Sequence, residues 1–222
     1  MSRFSLPAAF ILVVMPLGVA QAKIVEVAGV PATPGFNLFR SDTALDGATK
    51  LTAPPPVALK AGSIALVFEG TPLADIAKEL GGAIQHAGDA ADSTYWLCYQ
   101  QPGSATAPAA LVWFQSGQLG GDAHTLAAIA VETAPAAMPA ECVKPKKAIN
   151  LETGMPGLGA KTADLVTAFG AATPKADGVA VYTHEGAIAD GPLKGGITLT
   201  FLGYKLEGDL VAAYQIGQIS SN

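Results

Sequence analysis

The chain is short of the residues that carry catalysis. Its three histidines, His86, His124 and His184, are isolated from one another. No HExxH or paired-histidine spacing occurs, and no Gly-x-Ser-x-Gly elbow is present, so the motif-borne zinc and serine hydrolases are excluded. Gly157-Leu-Gly159, ahead of an expected helix, lacks the third glycine and the Lys-Ser/Thr ending of a phosphate loop. Asp89 and Asp92 in Gly-Asp-Ala-Ala-Asp lie in a turn without the ligand count of a calcium loop. Basic charge is scarce as well: 13 Lys plus Arg face 18 Asp plus Glu, a net charge of −5. Such a surface disfavours nucleic acid. No catalytic residue, metal or cofactor is assigned on these grounds. The enzymatic alternative is a hydrolase site assembled from scattered residues such as His184, Glu185 and Asp190.

Long apolar runs are confined to the N-terminus. Met1-Ser-Arg3 supplies one positive charge, Ala8 to Val19 is almost wholly apolar, and Ala20-Gln-Ala22 has the small-x-small form of a cleavage site. About a dozen apolar residues, interrupted by Pro16 and Gly18, are too few for a membrane span of roughly 20. The segment reads as a secretory signal peptide, residues 1–22, cleaved before Lys23. No cysteine follows it, which argues against a lipid anchor. The expected product is periplasmic or secreted and not embedded in a membrane. Loss of Arg3 with the leader leaves 12 basic against 18 acidic side chains, a net charge of −6. Half of the sequence is hydrophobic, much of it alanine, which is ample for a core.

Cysteine is nearly absent, Cys98 in YWLCYQ and Cys142 in PAECVKP being the only two. In an exported chain they are expected to form a disulfide, the alternative being two free thiols. Closing their 44-residue separation would stabilise the fold by roughly 4 kcal/mol on the chain-entropy account.

What the sequence does contain is a repeat. FQSGQLGGD, Phe114 to Asp122, returns 87 residues later as FLGYKLEGD, Phe201 to Asp209. Ala74-Asp75-Ile76 with Leu80-Gly81 returns as Ala163-Asp164-Leu165 with Phe169-Gly170 at an offset of 89. Two blocks in one order at nearly one spacing predict two related units. Each unit opens with a helix. In the first, Pro72 starts it, Leu73, Ile76, Ala77 and Leu80 share a face, and Gly81-Gly82 stops it. In the second, Thr162 or Asp164 serves the start, Leu165, Val166 and Phe169 form the apolar face, and Gly170 ends it with Pro174 beyond. Strand-like runs follow at Thr94 to Gln100, Ala110 to Gln115 and Leu126 to Glu132, and again at Val179 to His184, Ile197 to Leu202 and Leu210 to Ile216. The repeated stretch reads as a hairpin, turning at Ser116-Gly117 or Gly203-Tyr204 and returning through Leu119 or Leu206. Phe114 and Phe201 are expected to enter each unit's core beside Val112 and Leu199. The expected fold is α+β, two tandem repeats, each a short helix packed on an antiparallel sheet.

The expected organisation is an N-terminal extension and Pro-rich connector over 23–62, a first repeat over 63–132, an Ala/Pro-rich linker over 133–147 and a second repeat over 148–222. The run Gly157-Leu-Gly-Ala-Lys-Thr-Ala-Asp-Leu-Val-Thr-Ala-Phe-Gly170, with the hairpin of Thr200-Phe201 and Leu206, resembles the BamE/SmpA-type and β-lactamase-inhibitor-protein-like superfamily. The resemblance covers roughly Ile64 to Glu132 and Ile149 to Ile219, and a tandem of two units is similar to the arrangement in β-lactamase inhibitory proteins. The chain lacks the lipidated cysteine of the outer-membrane assembly member and has one cysteine pair instead of one in each unit. The motifs therefore imply a fold and leave the function open.

The remaining functional signal is aromatic. If Val112 and Phe114 face the core, Trp113 points to the other side of the sheet, with Tyr95 and Tyr99 alongside, and aromatic residues are enriched at binding surfaces. These three are the expected partner-binding residues, unless the N-terminal segment or the other unit covers them. The partner would be another envelope or secreted protein, and the chain a non-enzymatic binding module, either an inhibitor or an assembly accessory.

Overall fold

The computed structural model describes residues 22–221 except 28–33, 35–36, 39–44, 57, 90–92, 105–106, 118–119, 153, 173–176 and 191–192. Residues 1–21 of the expected leader lie outside this set, as do Asp92, Leu119 and Pro174 of the turns and hairpin read from the sequence. Helix α1, Leu73–Leu80, follows Pro72 and buries Leu73, Ile76, Ala77 and Leu80, the i, i+3, i+4, i+7 set of one helical face. It ends at Gly81, whose φ of 83° is in the left-handed region that glycine alone enters cheaply. Helix α2, Thr162–Phe169, is as long but buries only Leu165.

The strands are β1 Ile24–Glu26, β2 Thr49–Lys50, β3 Ala58–Ala61, β4 Ile64–Ala65, β5 Ile84–Ala87, β6 Thr94–Gln101, β7 Ala110–Gly117, β8 Ala128–Thr133, β9 Cys142–Val143, β10 Ile149–Glu152, β11 Val179–Ala187, β12 Ile197–Glu207 and β13 Leu210–Ser221. Ten of them form one sheet in the order β1-β5-β6-β7-β8-β13-β12-β11-β2, with β9 also on β6. The β1–β5, β2–β11 and β6–β9 pairs are parallel and the remaining pairs of this sheet antiparallel. A second, antiparallel sheet has the order β10-β3-β4.

This architecture corrects the expected α+β class. The protein is mostly β, and its two eight-residue helices do not each cover a sheet of their own. The strands expected in two sheets are joined where β8 pairs antiparallel with β13, Ala213 opposite Glu132 through Gly217 opposite Ala128. The cause is that two short amphipathic helices cannot hide the edges of two separate sheets. Joining the edges satisfies their backbone groups directly.

The sheet has an inner and an outer face. On the inner face α1, Leu165 of α2 and the small sheet pack with Leu97, Tyr99, Val112, Phe114, Ile129, Tyr182, Leu202, Tyr204 and Ile216 in one cluster. The expectation for Phe201 is overturned here: it belongs to a different cluster on the outer face, with Leu38, Ala128, Val181 and Ala213. In both β7 and β12 the even-numbered residues face inward. An odd offset of 87 therefore maps an inward residue onto an outward one, and a one-residue slip exchanges the faces of a strand. The turn expected at Gly203-Tyr204 is also displaced. Gly203 lies in mid-strand opposite Gln215 and Val181, and the chain reverses at Gly208, φ +63°, and Asp209.

The N-terminal segment covers part of the outer face. It leaves β1 at one edge of the sheet and reaches β2 at the other, and midway Leu38 is buried in one apolar cluster with Ala128, Val181 and Phe201. Burial of one leucine side chain contributes about 1.5–3 kcal/mol.

Candidate functional site

The aromatics expected at a partner surface are placed as follows. Trp113 is 1% exposed and its Nε1 donates to Glu132 Oε1 at 2.9 Å. It lies on the outer face with Trp96, Leu111, Ala130 and the two cysteines. Tyr99 lies on the inner face, fully buried, with its hydroxyl donating to the Gly81 carbonyl at 2.7 Å. Burial raises its phenol pKa. Tyr95 is half-buried. The three are thus not one exposed patch: Trp113 and Tyr99 are buried on opposite faces. The physical reason is that Leu111-Val-Trp-Phe114 is apolar on both faces of its strand, the pattern of a strand covered on both sides.

Cys98 and Cys142 form a disulfide with Cα atoms 4.4 Å apart, directly opposite each other on parallel strands β6 and β9. A disulfide is compatible with an oxidising compartment. No helix of the described residues is long and apolar enough to cross a membrane.

Tyr95 lies between two histidines, its ring centroid 4.3 Å from His86 and 3.7 Å from His124 with both pairs stacked. Glu26 on β1 places its carboxylate oxygens 2.7 Å from His86 Nδ1. Burial lowers the His124 pKa, the neighbouring His86 lowers it further, and Asp122 opposes the shift. The phenol ring between the imidazoles keeps them from converging on one point. Among the described residues no group of three His, Cys, Asp or Glu could hold a metal ion. His184 and Glu185 are consecutive in β11 and so point to opposite faces, while Glu185 pairs with Lys50 at 3.4 Å on the exposed edge. They do not assemble with the exposed Asp190 into one site on a single face of the sheet.

An open cleft beside α1 is lined by Thr71, Pro72, Asp75, Lys78 and Glu79. Glu79 accepts from the Ser63 hydroxyl and backbone N–H, both at 2.6 Å, and from Lys147 Nζ at 2.9 Å. The Ser63 hydroxyl, then Lys147, hold its carboxyl at about 2, well below the ordinary range. These bonds tie α1 to the β3–β4 turn and to the residues before β10.

The outer face carries the arrangement that sequence reading missed. One cross-strand row runs Trp96, Gln115, Ala128, Gly217, Phe201 and Thr183 over β6, β7, β8, β13, β12 and β11. The next runs Cys98, Trp113, Ala130, Gln215, Gly203 and Val181. Small residues, Ala128, Gly217, Ala130 and Gly203, stand at the centre of both rows. At Gly217 an added Cβ would collide with the Phe201 ring and the Ala127 carbonyl, so only glycine lets that ring lie across the row. Across the alanines of β8 Gln215 Nε2 donates to Gln115 Oε1 at 2.7 Å. Gln215 Oε1 accepts the Leu38 N–H at 2.6 Å, and its Nε2 also reaches Asn37 Oδ1 at 3.3 Å. Gln115 and Gln215 are 1% and 0% exposed. Buried amides with room to meet are legible as a signal only once the strand order is known.

No family model, no curated protein and no solved structure matches this chain.

Proposed function

We propose that this chain is an exported, non-enzymatic protein-binding module of the bacterial envelope, acting as an inhibitor or an assembly accessory. The observation that carries the reading is the outer face, where a broad sheet holds Asn37 and Leu38 of the N-terminal segment through side-chain amides and an apolar cluster around Leu38. A face that engages main chain in this way suits protein recognition, since backbone hydrogen bonds give affinity and side-chain seats give specificity. The N-terminal leader pattern and the disulfide support action outside the cytoplasm. The test is a cross-linked pull-down of the tagged chain Lys23 to Asn222 from envelope extract of its own host, identified by mass spectrometry. One dominant protein partner is expected, and recovery of none above background contradicts the reading.

A further inference from the structure

The small sheet ends in an open edge beside α1. Its order β10-β3-β4 leaves the far side of β4 without a neighbouring strand. The Leu66 N–H donates to the Leu59 carbonyl at 2.9 Å, and the next pair along, Ala65 opposite Lys60, is therefore a non-hydrogen-bonded one. The N–H and C=O of Ala65 thus point away from β3, towards α1. On either side of them the edge is capped: the Ser63 N–H donates to Glu79 Oε1 at 2.6 Å and the Val67 N–H to Thr71 Oγ1 at 2.9 Å. Between the caps the exposed Ala65 keeps both backbone groups without a partner among the described residues. In front of them is a cleft of about 430 Å³, a volume in the range of ligand sites, with Ile64, Asp75 and Lys78 around it. Lys147 neutralises Glu79, whereas Asp75 and Lys78 are exposed and form no ion pair among the described residues.

We infer that the cleft between β4 and α1 binds an extended segment of a partner protein that runs antiparallel to β4, exchanges both backbone hydrogen bonds of one residue with Ala65, and sets a basic side chain before that residue against Asp75 and an acidic one after it against Lys78. The inference rests on the protein-binding reading and names a site for it. The antiparallel direction follows from the edge itself, since only in that ladder does a single residue give and take both bonds. The order of charges follows from the directions of the elements. Thr71 lies at Val67 and Glu79 at Ser63, so α1 runs opposite to β4 and Lys78 is nearer the Ser63 end than Asp75. An antiparallel segment enters at the Val67 end, and its base comes first. Residues flanking the paired one point to the opposite face from the Ala65 side chain. That is the face of Ile64 and Leu66, where α1 packs. The caps at Ser63 and Val67 stand about 13 Å apart along a strand, so base, paired residue and acid fill the space between them. The backbone bonds supply affinity and the charge pairs fix direction and register.

The test is an amide NMR titration of the chain Lys23 to Asn222, disulfide intact, with the peptide acetyl-Thr-Lys-Thr-Glu-Thr-amide. The Ala65 amide resonance moves and its hydrogen exchange slows. The reversed peptide acetyl-Thr-Glu-Thr-Lys-Thr-amide, of the same composition, binds about fivefold more weakly because both charge pairs are lost. A peptide N-methylated at its central threonine has no N–H to give the Ala65 carbonyl and binds about tenfold more weakly. Exchanging the charges of the protein, Asp75→Lys with Lys78→Asp, inverts the preference between the two orders. The N-methyl comparison, which leaves the protein unaltered, decides the matter if circular dichroism shows that this variant has not folded. An Ala65 amide that the first peptide does not move, or equal affinity for both orders, overturns the site. A cellular partner captured equally well by the folded charge-exchanged variant removes the cleft while leaving the protein-binding reading standing. Order-selective peptide binding with no cellular partner does the reverse.

Discussion

The two halves of the sheet share an order of elements and differ in what holds them. In the first half α1 buries four residues, and the outer face is sealed by Trp96, Trp113 and the Cys98–Cys142 bridge. In the second half α2 buries one residue. The inner core there is a tyrosine cluster, Tyr182, Tyr204 and Tyr214, with Phe169 against the first two. Its outer face is sealed by Leu38 of the N-terminal segment. A repeated order of helix and strands therefore fixes neither which residues face inward nor what covers them. The second half relies on contacts from distant parts of the chain, and the first is closed largely by its own.

The largest expected effect comes from Trp113→Ala. It should lower stability by roughly 3–5 kcal/mol in a urea titration, as for a fully buried aromatic. A loss under about 1 kcal/mol, in the range of surface substitutions, would mean that the first half is not sealed at this residue. Next, replacing both cysteines by serine should remove about 2–4 kcal/mol. Hydrogen exchange should accelerate in β6 and β9 before β12, and uniform acceleration would show that the halves do not differ.

Smaller effects sharpen the comparison. The Tyr204 hydroxyl is buried without a partner, so Tyr204→Phe should be neutral or stabilising by up to about 1 kcal/mol. A clear loss of stability would reveal a polar contact in the second core. Burial, then Tyr214 and Tyr182, raises the Tyr204 phenol pKa, and burial pushes Tyr214 up to about 12, so both stay protonated across ordinary pH. In the first half Glu79 titrates at about 2 instead of its usual 4.5. Its contribution is therefore present above pH 4.5 and is lost as pH falls from there towards 2. Glu79→Gln should flatten the acid limb of the stability profile over that window, and an unchanged limb would contradict the role of the Ser63 and Lys147 contacts.

Some of this was legible in the sequence. Pro72, the spacing of Leu73, Ile76, Ala77 and Leu80, and Gly81 specify α1 by local rules alone. The cysteine pair was legible from scarcity and leader, and all six apolar runs lie largely within strands. What escaped is non-local. Nothing in Ala128 to Glu132 states that its open edge will meet Ala213 to Gly217, and β9 is two residues inside an apparent linker. Gln115 and Gln215 look like ordinary outward polar positions of alternating strands, and the two become a site only because β8 places alanines between them. Phe201 was misassigned because an odd repeat offset cannot preserve strand faces.

The most direct test of a sheet covered on one face by a separable segment is native-state hydrogen exchange on the intact, oxidised chain. The account predicts that the Leu38 amide exchanges by local opening well before the amides of β8 and β13. Exchange of Leu38 only together with β8 and β13, in a single global event, would show that the covering segment is part of one indivisible core.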